Sequence, residues 1–552
     1  MNLSQINLFK LYNQESTTSG VPIIFMAVIS GLANSFILGI ITVAADTASY
    51  ENLNFRYFLL FSIAFSVFII GKRFSLTKST ILSENIIRKV RIRITEKIAN
   101  SELFFIENIG KGKIFTRLTQ NTNIISQSIT ILLNALQAGI TLFFCILYLL
   151  LISKTAFVIT IITLSVAIFI YLYHEKQIES NLEESINKEN IFFDMINDTL
   201  DGFKELKINK TKTDQHLEIL NQVAIDTEHL KIKTGIQFVM DLMFSQTSFY
   251  ILLAIVTFLL PRFGHIDSEL VIRIAAAILF IIGPLNNLVG AVPDFARANV
   301  AVSVLYKLEK QLDDASKSFK KNVPVQKFTT FKKIQFENTV YYYPDAEDNP
   351  LFTIGPFDIS IQQGELIFII GGNGSGKSTF LKLLTGLYYP TSGIIKLDDL
   401  ALSKTSYPPY RELFSIIFSD FHLFKRLYGY KESVDCEKIF ALLKLMKLDL
   451  KTEVIDGAFT NINLSTGQRK RLAMIVSLLD DKPICVYDEW AADQDPDFRK
   501  YFYDILLKDL QDRGKTIIAV SHDDRYFHVA DRVLKMEFGK FSPKPYDRLG
   551  KL

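Results

Sequence analysis

Long apolar runs are confined to one part of this chain. Crossing a hydrocarbon layer takes roughly 20 helical residues, and runs of about that length fall at about 21–44, 55–71, 129–152, 155–173, 236–260 and 270–292, all within the first 300 of 552 residues. Each reads as a membrane-spanning helix. After Val300 the pattern changes. Residues 301–327 form a polar helix and linker, and beyond them short β-branched and aromatic strands alternate with helical patterns. The expected fold class is therefore a multidomain membrane protein, with a six-helix transmembrane domain over 1–300, a linker over 301–327 and a soluble α/β domain over 328–552.

Composition agrees with this division. With 49% hydrophobic residues and 45 Phe the chain is too apolar for a soluble enzyme, yet 22% charged residues exclude a wholly membrane-embedded chain. A net charge of +3 makes no case for nucleic acid as a partner. Cys145, Cys436 and Cys485 lack metal-ligand spacing and read as reduced structural residues. The first twenty residues lack the apolar core and cleavage site of a signal peptide. Connections near 45–56, 153–154 and 261–269 offer only Arg56, Lys154 and Arg262, whereas 72–128 is rich in Lys and Arg. By the positive-inside rule the long connections and both termini are cytoplasmic. If the long connections, 72–128 and 174–235, each run out and back as two helices of about 25 residues, they project roughly 38 Å from the membrane.

A strand, ELIFII, leads into Gly371-Gly-Asn373-Gly374-Ser375-Gly376-Lys377-Ser378-Thr379, and a helical pattern follows. Glycines let backbone N–H groups surround phosphate oxygens, the helix N-terminus adds its dipole, Lys377 reaches the β- and γ-phosphates, and Ser378 ligates Mg²⁺. A second apolar strand, ICVY, ends in Asp488 and Glu489. Carboxylates cost several kcal/mol to desolvate unless a cation or a proton-transfer role offsets it. Beside a phosphate loop, Asp488 is placed to hold the Mg²⁺ hydration shell of a bound nucleotide, and Glu489 to polarise the attacking water.

At this point a resemblance emerges. "LSTGQ" at 464–468 resembles the signature of ATP-binding cassette (ABC) proteins, "SHDD" carries His522 where that family has its switch histidine, and "ADQD" ends at Asp495 in the loop after the second Walker motif. Tyr343 in "NTVYYYP" sits where the family stacks an aromatic on adenine. The resemblance implies an ABC exporter half-transporter with ATP and Mg²⁺ as cofactors, ATP being held by Tyr343, the phosphate loop, and Ser465, Gly467, Gln468 and Asp495 of a second cassette. Glu489 and His522 would be catalytic. A single chain does not face itself, so a homodimer with two composite sites, or a heterodimer, is implied. One departure stands out: where the family has glutamine this chain has Ser419, followed by Asp420. A serine is too short to reach Mg²⁺ directly, so a water held by Ser419 or Asp420 is expected there, making any metal contact indirect. Residues 104–119 and 201–209 resemble the family's coupling segments.

A narrower likeness rests on "DEWAADQDPDFR" and "SHDDRYFHVADR", which resemble the bacterial cyclic-peptide export family, including exporters of microcin-type lasso peptides and pyoverdine precursors. It implies outward transport of a modified or cyclic peptide, or a peptide-derived siderophore precursor, across the bacterial inner membrane. Export of lipids or hydrophobic drugs, or a sensor that moves no cargo, are the alternatives. Polar residues recur at helical spacing in the third run, with Asn134 and Gln137, and in the fifth, with Gln237 and Asp241. Each stripe faces protein or a watery cavity, as cargo contacts or as helix-to-helix fasteners; Asp241 alternatively lies at the membrane surface. Trp490, the only tryptophan, is expected to change its surroundings when ATP closes the cassettes.

Overall fold

The computed structural model describes residues 7–15, 20–46, 55–261, 268–316, 327–345, 347, 349–430 and 436–542. The terminal residues and most of the connections at 45–56 and 261–269, on which the orientation partly rests, lie outside these. The chain divides into two compact units, 1–101 with 105–314, and 102–104 with 315–552.

The first unit is helical: α1 (Asn7–Glu15), α2 (Val21–Asp46), α3 (Phe55–Ala99), α4 (Leu103–Ile109), α5 (Lys111–Ile152), α6 (Lys154–Asp201), α7 (Phe203–Ile208), α8 (Lys210–Ala254) and α9 (Ser268–Ser316). Among the described residues, α2, α3, α5, α8 with its continuation to Leu259, and α9 are long and apolar enough to cross a membrane. The remaining expected span, 155–173, lies in α6, whose described apolar part is the shorter Lys154–Val166. Helices do not stop where the apolar runs stop. At 45 residues α3 is about 68 Å long at roughly 1.5 Å per residue. Its polar half remains helical because apolar residues keep the helical period: Leu82, Ile86, Ile87, Val90 and Ile94 are buried on one face. The long connections are thus extensions of the spans, turned around by short α4 and α7 where coupling segments were expected. A single residue, Ser153, separates α5 from α6, and its hydroxyl caps α6 by accepting from the Ala156 amide at 3.3 Å.

Of the expected polar helix and linker over 301–327, residues 301–316 and 327 are described. The stretch stays helical to Ser316, and Val302, Leu305, Leu308 and Leu312 enter the same core as Ile86, Val90 and Ile125. Polar residues between these positions hide an apolar stripe that a composition reading passes over. The polar edge of this core is an ion-pair network. Glu309, only 12% exposed, meets the Arg93 guanidinium at 2.7 Å and Lys97 Nζ at 2.8 Å; Lys97 also meets Asp313 at 2.7 Å, and Arg93 pairs with Glu15.

The second unit holds two main sheets. Strands β1 (Lys333–Pro344), β2 (Pro350–Gln362), β4 (Ser392–Leu397) and β5 (Leu400–Ala401) form an antiparallel sheet in the order β2-β1-β4-β5. The second contains β3 (Leu366–Ile370), β6 (Phe414–Ile417), β9 (Ile484–Asp488), β10 (Thr516–Val520), β11 (Arg532–Glu537) and β12 (Lys540–Phe541), in the order β12-β11-β3-β10-β9-β6. A small hairpin, β7 (Val454–Ile455) with β8 (Ala458–Phe459), stands apart. β3, β9 and β10 are buried at every residue, as central parallel strands covered on both faces must be, which is why they read as unbroken apolar runs. Burial pushes the Cys485 thiol up to about 11, consistent with an inert structural residue.

Replacing Glu309 by alanine removes the carboxylate shared by two partly buried cations. The expected loss is about 1.5–3 kcal/mol, the range for a hydrogen bond to a charged group. Thermal unfolding of the detergent-purified protein reads this out, and an unchanged melting temperature would mean the network carries no net stability.

Candidate functional site

The phosphate loop begins where β3 ends. Gly371 has φ +152°, and a Cβ there would come within 2.3 Å of the Met536 carbonyl oxygen, so the close approach of β11 requires glycine. The helix Lys377–Leu384 follows at once. Lys377, 6% exposed, donates to the carbonyls of Gly371 and Gly372 at 2.9 Å each, which ties its ammonium to the loop beside it. Ser375 Oγ is buried with no partner among the described residues. Thr379 is buried, and its hydroxyl lies 3.1 Å from that of Tyr343. Tyr343 is half-buried, with its ring edge-on to Tyr341 and Tyr388. The expected adenine-stacking residue is thus anchored to the phosphate-loop helix.

The carboxylates meet this loop from β9. Asp488 Oδ2 accepts from Ser378 Oγ at 3.1 Å and from Ser419 Oγ at 3.2 Å, while Oδ1 is buried with no side-chain partner among the described residues. Burial raises the Asp488 carboxyl above its ordinary value against the opposing Ser378 and Ser419 hydrogen bonds. A desolvated carboxylate with an oxygen that no described side chain bonds, beside a phosphate-loop serine, fits a hydrated divalent cation. Ser419, at the position where glutamine was expected, reaches the same carboxylate as Ser378, and Asp420 is exposed beside it.

Glu489 adopts a left-handed φ of +51°, at a cost on the order of 1–3 kcal/mol for a non-glycine residue. Its Oε1 lies 3.0 Å from His522 Nε2, which projects just beyond the end of neighbouring β10. The backbone is held by Lys470, a residue the sequence reading missed. Lys470 is 3% exposed, donates to the Glu489 carbonyl at 2.8 Å and pairs with Asp493 at 2.6 Å. Its own carbonyl accepts from Trp490 Nε1 at 2.8 Å. A lysine in "LSTGQRKRL" looks like an exposed helix residue, and nothing in its sequence spacing marks it as buried. Trp490 itself departs from the expected ATP-sensitive position: it is 1% exposed and stacked on Phe502 at 4.5 Å between ring centroids, a core residue of the cassette.

Ser465 caps the helix Thr466–Asp480 in a capping box with Gln468, each side chain bonding the other's backbone N–H. Gly467 is required by packing, since a Cβ would stand 2.4 Å from the Asp493 carbonyl oxygen. The described hydrogen-bond partners of these residues lie in their own helix and at Gln494, whose side chain donates to the Gly467 carbonyl at 3.0 Å. Asp495 caps the helix Pro496–Tyr501, accepting from the Phe498 amide at 2.9 Å, and pairs with Arg471. The Phe498 amide, then Arg471, hold its carboxyl below the ordinary value.

In the helical unit, Asn134 and Gln137 line a cavity of about 740 Å³ among α2, α3, α5 and α9. Gln137 also donates to Ser30 Oγ at 2.8 Å, so it fastens α5 to α2. Gln237 accepts from Asn181 at 3.2 Å between α8 and α6, and neither Gln237 nor Asp241, half-buried on α8, is among the residues lining this cavity.

The raised Asp488 carboxyl gives a pH signature. The folded, nucleotide-free protein holds this proton more tightly than the unfolded chain, so the contribution is present at low pH and lost as pH rises through the folded value. An Asp488→Asn protein should therefore gain in melting temperature relative to wild type as pH rises from about 4 to 7. A variant less stable than wild type by the same margin at every pH would rule this out.

Two family models match the chain: "ABC transporter transmembrane region" over residues 19–285 and "ABC transporter" over 354–492. The ATP-binding protein SyrD of Pseudomonas syringae pv. syringae is 31% identical over 525 residues, covering 93% of this chain and 91% of that protein. An ATP-dependent lipid A-core flippase of Alkalilimnicola ehrlichii is 23% identical over 83% of this chain and 79% of its own length. Among solved structures, a bacterial Atm1-family ABC exporter with ATP bound superposes with a TM-score of 0.78 at 15% identity, covering 96% of this chain and 94% of that one. The chain thus belongs to the ABC transporter family, as a multi-pass membrane exporter in which ATP hydrolysis is coupled to transport.

Proposed function

We propose that this exporter carries a peptide-derived cargo, modified or cyclic, outward across the bacterial inner membrane. The observation that carries this reading is the lining of the 740 Å³ cavity, where Asn34, Asn134, Gln137 and Asn287 present carboxamides among apolar residues such as Phe68, Leu76, Leu279 and Phe280. Carboxamides both donate and accept, as peptide groups do, whereas acyl chains would leave them desolvated and unpaired. The motif "DEWAADQDPDFR" adds the likeness to cyclic-peptide exporters, a class that includes exporters of siderophore precursors. With Lys and Arg concentrated in the long connections, the cassette and both termini lie in the cytoplasm.

The chemistry proposed for the cassette follows from its contacts. Backbone amides from Gly371 to Thr379 and the Lys377 ammonium cradle the ATP phosphates. Ser378 would hold Mg²⁺ and Asp488 its hydration shell, with Ser419 steadying the Asp488 carboxylate; the metal, when bound, would supply positive charge against the phosphates. Glu489 orients the attacking water, and His522 fixes the Glu489 carboxylate. Ser465, Gly467 and Gln468, at an exposed helix N-terminus, meet the γ-phosphate bound by a second copy, and Asp495 lies in the loop beside them. Two copies in the lipid bilayer thus form two sites.

Glu489→Gln should keep ATP affinity while turnover falls about 10²- to 10⁴-fold, the range for loss of a general base. Near-wild-type hydrolysis would remove Glu489 from the role.

A second reading has an observation behind it, since relatives such as that of Alkalilimnicola ehrlichii are named lipid A-core flippases. Inside-out proteoliposomes separate the two. ATP-dependent uptake of a labelled cyclic peptide into the lumen, absent in Glu489→Gln, is the expected result; transbilayer movement of lipid A without peptide uptake would transfer the assignment to lipid.

A further inference from the structure

We propose that Lys72 makes this cavity a reader of carboxylates, so that the cargo is a peptide bearing a free carboxyl group, at its C-terminus or on an Asp or Glu side chain. The inference rests on the peptide reading above and narrows it. Lys72 lines the cavity one residue beyond the apolar run 55–71, and no Asp or Glu shares that lining. Its ammonium lies 5.4 Å above the ring of Phe68, one turn earlier on α3, which directs the side chain along the cavity wall. Further along the same helix two cations meet carboxylates: Arg93 with Glu15 and Glu309, Lys97 with Glu309 and Asp313. Lys72 has no such partner among the described residues. Lys72 is exposed along this wall, so its ammonium is available to an anion that enters the cavity, as a charge-assisted hydrogen bond.

The neighbours of Lys72 indicate which anion. Asn134 and Asn287 are exposed to the cavity and Asn34 is half-buried in its wall, none with a hydrogen bond to protein among the described residues. Asn34 lies about 20 Å along α2 from Val21 at roughly 1.5 Å per residue, so the polar groups reach well into the apolar span. A phosphate has only acceptors to offer three carboxamides, whereas a peptide chain offers donors and acceptors in alternation. A carboxylate is the anion such a chain carries. The sequence reading selected Asn134 and Gln137 but passed over Lys72, which sits in a run of basic residues that looks like an ordinary membrane boundary.

The test uses full-length protein in nanodiscs, without nucleotide, and two dye-labelled cyclic octapeptides that differ only by glutamate or glutamine at one position. Fluorescence anisotropy should show the glutamate peptide binding about tenfold more tightly or better, the scale of one charge-assisted hydrogen bond. In Lys72→Gln the ratio should fall to near one; in Lys72→Arg it should persist, as it should in Lys78→Gln, which removes a charge from α3 outside the cavity. Equal binding of the two peptides to the wild type, or a preference that survives in Lys72→Gln, overturns the carboxylate assignment and leaves peptide export standing. Failure of both peptides to bind overturns both readings, and under that outcome lipid A in the same discs should bind in a Lys72-dependent way. Because the wild-type comparison alone can refute the proposal, it does not depend on the variants folding.

Discussion

Parallel pairing of β10 with both β3 and β9 is the constraint on which the cassette depends. Ala519 lies opposite Phe368 and Tyr487, and Val520 opposite Ile369 and Asp488, so all three strands end at one edge. β6 joins on the far side of β9, with Ile417 opposite Tyr487. The residues that leave these ends are therefore neighbours although they are far apart in sequence: Gly371, Asp488 with Glu489, His522 and Ser419. A one-residue slip of β9 would turn the side chains of its two faces over and remove Asp488 from Ser378. The buried, unbroken apolar character of the strands is what fixes the register.

Within that frame, one lysine links the signature helix to the reacting carboxylate. The same residue donates to the Glu489 carbonyl and accepts from the Trp490 indole, so the helix Thr466–Asp480 and the strained backbone at Glu489 are fastened from both sides. Arg471, the next residue, bonds Gln494 at 2.8 Å and pairs with Asp495, tying the same helix to the rest of the loop. A tilt of the signature helix is therefore a displacement of Glu489 and of the loop after it. The cost of a left-handed glutamate is offset by contacts that lie outside the phosphate loop.

What could be read in the sequence follows from how local each signal is. The phosphate loop, the Asp488-Glu489 pair, "LSTGQ" and His522 are contiguous patterns, and strand-loop-helix context identified the cassette from them. Apolar runs located the spans because bilayer thickness fixes their length. The packing of 301–316 was not legible, because its apolar residues form a stripe at helical spacing within a polar composition. Lys470 and Trp490 were misjudged for a related reason: burial of a lysine or a tryptophan depends on which element covers it, and that information is tertiary. Ser419 lies between these cases. Its departure from glutamine was visible, but its bond to Asp488 needed the pairing of β6 with β9.

The short helix α1 illustrates a consequence of its attachments. Glu15 pairs with Arg93 and its carbonyl accepts from Lys89 at 2.9 Å, Leu11 is buried in the core that holds Leu82 and Ile86, and Tyr306 on α9 donates to Gln14 at 3.0 Å. Ile23 of α2 enters the same core, so α1 is fastened to α2, α3 and α9 at once and clamps the first turn of one span to the polar halves of two others.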